Sequence, residues 1–387
     1  MDEIEIRRQA VIMYLSHITP SEVCKSLQKS RPWFYKWVKR YEANPKGDWF
    51  IEHSRRPHMI NKSLEENLEH LIIEIRRKLE GNAYAQIGAI SIQWELRKLH
   101  IDPPPVWTID RIIKKHHLTY TKPKISKKEN EYPDYSSAFT HQLDIVGPRY
   151  LQKSKRKYYF SNIIDTTTHC VHINAIDNKA SDGIVRTVMR FWKQFGIPDY
   201  LQMDNELSYR GSNRHPHSFS KLIRFALSQD VIPVFIPQSE PWRNGIIEKF
   251  NDTFDKKFFR TQNFTSFHHL VESALDFEAF HNTNYRYGVH NNQTPIEVHK
   301  KNNIIAYLDN EYQIPTYIPL IEGNIKVIRF IRSDRTLNIF GETFLVKPEL
   351  IYHYVEAVIS IKAQALKVSC DNQLIQEFPY YVPVDWM

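Results

Sequence analysis

Cysteine is scarce in this chain: Cys24, Cys170 and Cys370 are the only three among 387 residues, far apart and with no C-x-x-C pair. That spacing offers neither a metal-ligand set nor a disulfide framework, and it fits a reducing, cytoplasmic setting. Glycine is low at 11 residues and proline ordinary at 21, which excludes collagen-like and low-complexity chains. Apolar runs are short, as in VIPVFIP from Val231 to Pro237, whereas a membrane-spanning helix needs ~20 apolar residues. No membrane association is expected. The opening MDEIEIRRQA carries no apolar stretch before a small-residue cleavage site, so no secretory leader is expected either. With 42% hydrophobic and 25% charged residues the composition excludes wholesale disorder. At ~150 residues per domain, the length predicts two or three domains.

What is in excess is positive charge, and it is unevenly placed. The 52 Lys and Arg exceed the 44 Asp and Glu by 8. Residues 1–130 hold 24 basic and 16 acidic side chains, while residues 131–387 hold 28 of each. The whole excess lies in the first third, as in a nucleic-acid-binding arm joined to a neutral body. Charge alone fits a soluble basic surface equally well.

Pattern favours the arm. Residues 4–16 have apolar groups at helical spacing. Thr19 and Glu22 form a capping-box pair with Pro20 at the first helical position, and Ser30 precedes Pro32 in the same way. The third helix, Arg31 to Tyr41, presents Arg31, Lys36, Lys39 and Arg40. Residues 1–45 therefore read as a helix-turn-helix domain whose last helix enters a major groove; the alternative is a three-helix adaptor with a solvated basic face. Residues 46–62 read as a linker in which Arg55 and Arg56, before Pro57, suit a minor groove or plain solvent. Residues 63–118 repeat the layout. Their third helix starts near Val106, with Ile109, Ile112 and Ile113 inward and Thr108, Arg111, Lys114 and Lys115 as DNA candidates. Residues 119–135 form a basic linker, with Lys122, Lys124, Lys127 and Lys128 available to phosphate.

From about residue 136 the pattern changes to strands in succession, then strands alternating with helices, which predicts a mixed sheet with helices on both faces over 136–300. Three acids stand out. Asp144 interrupts a strand made of Leu143, Ile145 and Val146, where a carboxylate is costly unless paired or on a metal. Asp204 closes a later strand in LQMDN, and Glu248 lies in the helix PWRNGIIEKF. Singly these could be an edge residue, an Asp-Asn turn and a surface glutamate. Together they supply carboxylates from several elements, as two oxygen-liganded cations ~4 Å apart require. Asn244, one helical turn before Glu248, is a candidate to orient DNA or metal-bound water, or else part of a loop-to-helix junction with Gly245. Trp242 is a candidate to stack on a base or to fill the core. Residues 311–387 alternate as short strands and predict a small antiparallel barrel.

On these residues the chain resembles the DDE transposases of bacterial insertion sequences, which have a retroviral-integrase-type catalytic core. The matching segments are THQLDIVG, IIDTTTH, LQMDN, PWRNGIIEKFN and NYRYGVHNNQTPIEV, with SRRPH and WTIDRIIKKHHL in the front third. The resemblance implies a multidomain α+β protein: tandem helix-turn-helix domains, an RNase H-like core with a mixed five-stranded sheet, and a C-terminal β-barrel. It implies Mg2+ or Mn2+, two ions, held by Asp144, Asp204 and Glu248. It also implies cleavage at transposon ends, joining of the 3′-OH to target double-stranded DNA, and a homo-oligomer on DNA. The chain departs from the family in having Glu206 where glycine is usual after Asp-Asn, and in the separation of 44 positions between Asp204 and Glu248. The rival readings are a DNA-binding regulator descended from such an enzyme, and a nuclease that cuts without joining.

Overall fold

The computed structural model describes residues 2–52, 66–119, 132–133, 135, 138–151, 156–212, 214–215, 217–302 and 306–383. They fall into two compact units, divided between residues 65 and 66.

The first unit contains α1 (Glu3–Leu15), α2 (Pro20–Ser26) and α3 (Arg31–Ala43). The expected start signals operate: Thr19 and Glu22 make a reciprocal capping box, and the Ser30 hydroxyl accepts from the Trp33 N–H. Ala10, Val11, Val23, Phe34 and Val38 form the core. The chain then folds back, setting Trp49 edge-on to Tyr41, with the Arg7 guanidinium donating to the Phe50 carbonyl at 2.9 Å.

The second unit begins with α4 (Glu66–Gly81), α5 (Ala89–Lys98) and α6 (Val106–Lys115). Buried Arg76 ties these helices together, donating to the carbonyls of Ile87 at 2.6 Å and Leu118 at 2.8 Å. There follow β1 (Thr140–Tyr150), β2 (Lys157–Asp165), β3 (Val171–Ile176), α7 (Ser181–Phe195), β4 (Tyr200–Met203), α8 (Leu207–Arg210), α9 (Lys221–Ser228) and β5 (Ile232–Phe235). The expected long helix after β5 is divided into a 3-10 turn (Pro241–Asn244), α10 (Gly245–Phe254) and a π-helical turn (Asp255–Phe259). The chain continues with α11 (Phe267–Asn284), α12 (Pro295–His299), β6 (Asn324–Phe330), β7 (Thr336–Ile339), β8 (Glu342–Leu345), β9 (Tyr354–Ser360), β10 (Ala365–Cys370) and β11 (Gln373–Pro379).

The main sheet runs β3-β2-β1-β4-β5-β6-β9-β10-β11. Strands β1, β4, β5 and β6 are parallel neighbours; the other pairs are antiparallel. Period-two alternation decides which layer each strand residue joins. On β1 and β4, Leu143, Ile145, Leu201 and Met203 pack with α7 and α9, while the even-numbered residues face α10. On β2, Phe160 and Ile164 join the aromatic layer of α10 and α11, with Phe250, Phe254 and Phe277. The edge of β3 is closed by α11: Asn282 both accepts from the Val171 N–H and donates to its carbonyl at 2.9 Å, and Glu278 accepts from Ile173 at 2.8 Å. Side chains here satisfy backbone groups that would otherwise template aggregation.

The expected C-terminal barrel needs correction. The five strands β3-β2-β1-β4-β5 are present, but β6 pairs with β5, Val234 opposite Lys326 and Phe235 opposite Val327, so the last strands extend the core sheet. Among the described residues the β7–β8 ribbon pairs only with itself, and it lies over the sheet through Phe344, which packs against Phe378 and Tyr380. Alternation marks these segments as strands but carries no information about which edge they join.

Candidate active site

Two strands carry the same short pattern, Gln-x-Asp, and it builds the site. Gln142 of β1 and Gln202 of β4 stand opposite each other in a parallel ladder, each followed two residues later by an aspartate on the same face. Both glutamines grip the start of α10. The Gln142 Oε1 accepts from the Ile247 N–H at 2.9 Å, satisfying one of the orphan donors of the first turn. The Gln202 amide donates to the Arg243 carbonyl at 2.9 Å and to the Asn244 Oδ1 at 3.2 Å. Asn244 in turn donates to the Leu143 carbonyl at 3.3 Å. Glu248, in the first turn of α10, is therefore fixed against the strands bearing Asp144 and Asp204.

The three acids feel one another. Asp144 is pushed up to about 7, first by burial and then by the charges of Glu248 and Asp204. Asp204 and Glu248 are raised as well, each chiefly by burial, with Glu206 adding to the rise at Asp204 and Asp204 to that at Glu248. Carboxylates arranged in this way resist ionising together unless a cation joins them. Lys179 lowers both aspartates, but its ammonium is already paired with Glu206 at 2.7 Å. Asp144 is oriented by a chain of amides: Asn251 donates to its Oδ2 at 2.6 Å, and Asn162, opposite Asp144 on β2, donates to Asn251 at 2.9 Å. Beneath the acids, the Tyr209 hydroxyl is buried without a partner among the described residues.

The donor chemistry fits a divalent cation: oxygen ligands only, from three elements, mutually repelling, with an unsatisfied hydroxyl below. The set is open, however. Among the described residues no group of three Asp, Glu, His or Cys side chains is placed to hold a metal ion as it stands, the three acids included.

The DNA candidates divide. Lys39, Arg111 and Lys114 are exposed, and Arg111 lies 5.6 Å from the exposed Trp107 ring. Arg31 is exposed and donates to Ser21. Lys36 pairs with Glu52 at 2.5 Å and Arg40 donates to the Ile51 carbonyl at 3.1 Å, so both are engaged by the returning chain. Lys115 is exposed and paired with Glu69 at 2.7 Å. Two expectations are corrected. Thr108 is buried at 3% exposure, because it shares the inward face of α6 with Ile109 and Ile112. Asn244 is buried at 2%, its amide spent on Gln202 and Leu143, so it positions α10 and is closed to DNA. Trp242 is half exposed at 51% and does not fill the core. Arg55, Arg56, Lys122, Lys124, Lys127 and Lys128 lie outside the described residues.

Sequence reasoning missed Gln142, Gln202, Asn162 and Asn251. The signal was present: QLD and QMD each set an amide and an acid on one face of an otherwise apolar strand, and Asn251 follows Glu248 at helical spacing.

Residues 1–47 match the family model of a Homeodomain-like domain. No curated protein matches the chain. Among solved structures, the HTLV-2 integrase catalytic core domain in complex with magnesium is 16% identical, with 42% of this chain and 96% of that one covered and a TM-score of 0.32. The simian T-cell lymphotropic virus intasome in complex with PP2A regulatory subunit B56 gamma is 14% identical, with 76% and 97% covered and a TM-score of 0.34. The BIV integrase catalytic core domain is 13% identical, with 42% and 95% covered and a TM-score of 0.31.

Proposed function

We propose that this chain is a DDE-type DNA transposase of the insertion-sequence kind, with an RNase H-like core that cuts element ends and joins them to target DNA. The observation that carries the reading is the placement of Asp144, Asp204 and Glu248 on β1, the end of β4 and the first turn of α10, elements that Gln142 and Gln202 tie together. Those three would hold Mg2+ or Mn2+, which supply Lewis-acid activation of a water or 3′-hydroxyl and offset charge at the phosphate. The protein's own groups do the rest. The Gln142–Gln202 pair fixes the Glu helix, and Asn251 holds the Oδ2 of Asp144. A Cβ at Gly245 would meet nothing within 4 Å, so its bareness is not needed for packing and leaves room for a DNA strand. The two front helical sets bind the ends, and joining two ends calls for at least a dimer on DNA.

One observation favours the regulator reading: Glu206 brings a fourth carboxylate to the site, hydrogen-bonded through its N–H to Asp204 at 2.9 Å. The test is calorimetry with Mn2+ and Mg2+, with and without DNA, followed by cleavage and joining assays on the DNA flanking the gene. Metal-dependent cutting with joining supports the transposase. Cutting without joining points to the nuclease, and no metal site in either condition to the regulator.

A further inference from the structure

Strand β6 places an arginine where its apolar face requires an aliphatic side chain. Ile325, Val327 and Ile331 of the same alternating row are fully buried in the main core; Arg329 takes the place between them at 7% exposure. A buried guanidinium is costly unless its charge is paired. Among the described residues no carboxylate forms an ion pair with Arg329, and the neighbouring cation, Arg210, makes the charge less favourable still. Met or Leu would serve the sheet better, so the charge has another use.

Its hydrogen bonds show which. Arg329 Nε donates to the Asn338 carbonyl at 3.0 Å, and Nη1 to the carbonyls of Ile328 at 2.8 Å and Ile236 at 3.1 Å. The shortest bond runs from Nη2 to the Oδ1 of Asn205, at 2.6 Å. The other end of that amide donates to the Ile236 carbonyl at 2.7 Å, and the Asn205 carbonyl accepts from Arg210 at 3.3 Å. Asn205 is thus held at its side chain and its backbone, and it is the residue next to Asp204.

We propose that Arg329 is a positioning residue of the active site, supplied by the C-terminal strand, which sets Asp204 by clamping Asn205. The C-terminal region is then part of the catalytic machinery. The inference rests on the transposase reading, and the experiment keeps the two apart.

In the full chain, Arg329→Met restores the apolar row but leaves the Asn338, Ile328 and Asn205 acceptors without this donor, so its thermal midpoint is measured first to establish that it folds. It should lower kcat for end cleavage by about 10- to 100-fold, the scale of a misplaced catalytic group. It should also weaken Mn2+ binding in calorimetry while changing DNA affinity less than about twofold. Arg329→Lys, which keeps the charge and loses the fork, should restore only part of the rate. Asn205→Ala should match Arg329→Met, and the double variant should be no worse than either single one. Should Arg329→Met fail to fold, Asn205→Ala and Arg329→Lys carry the test by the same readouts. Wild-type kcat and Mn2+ affinity in folded variants, or additive losses in the double, would overturn the positioning role alone. A wild-type chain that neither binds Mn2+ nor cuts DNA would overturn the transposase reading and this inference with it.

Discussion

Residues 2–52 and 66–119 each wrap three helices around a small apolar core, yet only the first completes that core alone. In the first set Phe34 and Val38 meet Ala10 and Val11, and the returning segment supplies Trp49 and Glu52 as cover. In the second, aromatic side chains finish their packing on α11 and the segment after it, in the same unit as the main sheet. Tyr84 lies edge-on to Phe277 at 5.2 Å, the Arg286 guanidinium sits 3.5 Å over Trp94, and the Arg286 backbone N–H donates to the Gln86 Oε1 at 2.6 Å. The same layout in sequence thus yields one self-contained module and one joined to the site. The second set is the one held at a fixed distance from the acids.

The largest effect separates chemistry from both sets. Asp144→Asn, Asp204→Asn or Glu248→Gln should each lower end cleavage on the order of 10³-fold or more, since groups acting as a unit fail together. End binding by the helical sets should persist. A variant keeping substantial cleavage in Mg2+ would remove that residue from the site.

A smaller effect tests the join. Arg286→Ala removes the cation–π contact with Trp94, worth roughly 1–2 kcal/mol when desolvated. Hydrogen exchange should speed up in α4–α6 and stay unchanged in α1–α3. Equal changes in both sets, or none, would break the comparison.

The join also shows what the sequence could carry. The capping signals at Thr19 and Ser30 and the inward row Ile109, Ile112 and Ile113 are local, and each works in the structure as its neighbours dictate. Of the three acids only Asp144 interrupts an apolar strand; singly each has a commonplace reading, and the three stand out only as a set drawn from a strand, a strand end and a helix. Arg286 on Trp94, Arg329 on Asn205 and β6 on β5 join residues that are distant in sequence, and a single chain's periodicity does not encode partners. Thr108 and Asn244 misled because polar residues buried for packing or positioning look, in sequence, like residues offered to DNA.

Acid should distinguish the units next. Burial pushes His141 and His281 down to about 3 and His169 to about 4, all in the second unit. The only histidine of residues 2–52, His17, is exposed. Below the ordinary histidine value near 6.5 the unfolded chain takes protons that the folded one refuses, so stability falls as pH falls from about 6.5 toward 3. The slope is roughly 1.4 kcal/mol per pH unit for each such histidine. Denaturant midpoints of wild type and His281→Gln, measured at pH 7 and 5, isolate one histidine's share and cancel the opposite slope from Asp144. Parallel midpoint shifts in the two proteins would remove His281 from the account.

The smallest effects concern the two basic helices. Lys36 is tied to Glu52 and Arg40 to the Ile51 carbonyl, whereas Arg111 and Lys114 stand exposed on α6. A side chain that must first leave an internal partner gains less from phosphate than one already in water, because the lost bond offsets the new one. Each phosphate contact removed should flatten the dependence of log K on log salt by about 0.9. Arg111→Ala with Lys114→Ala should therefore reduce that slope by close to two such steps, and Lys36→Ala with Arg40→Ala by less. Titrations of the full chain and the variants on end and scrambled DNA, at several salt concentrations, give the slopes directly. If the Lys36 and Arg40 pair flattens the slope as much as the Arg111 and Lys114 pair, the returning segment does not restrain α3, and the contrast between the two helices fails.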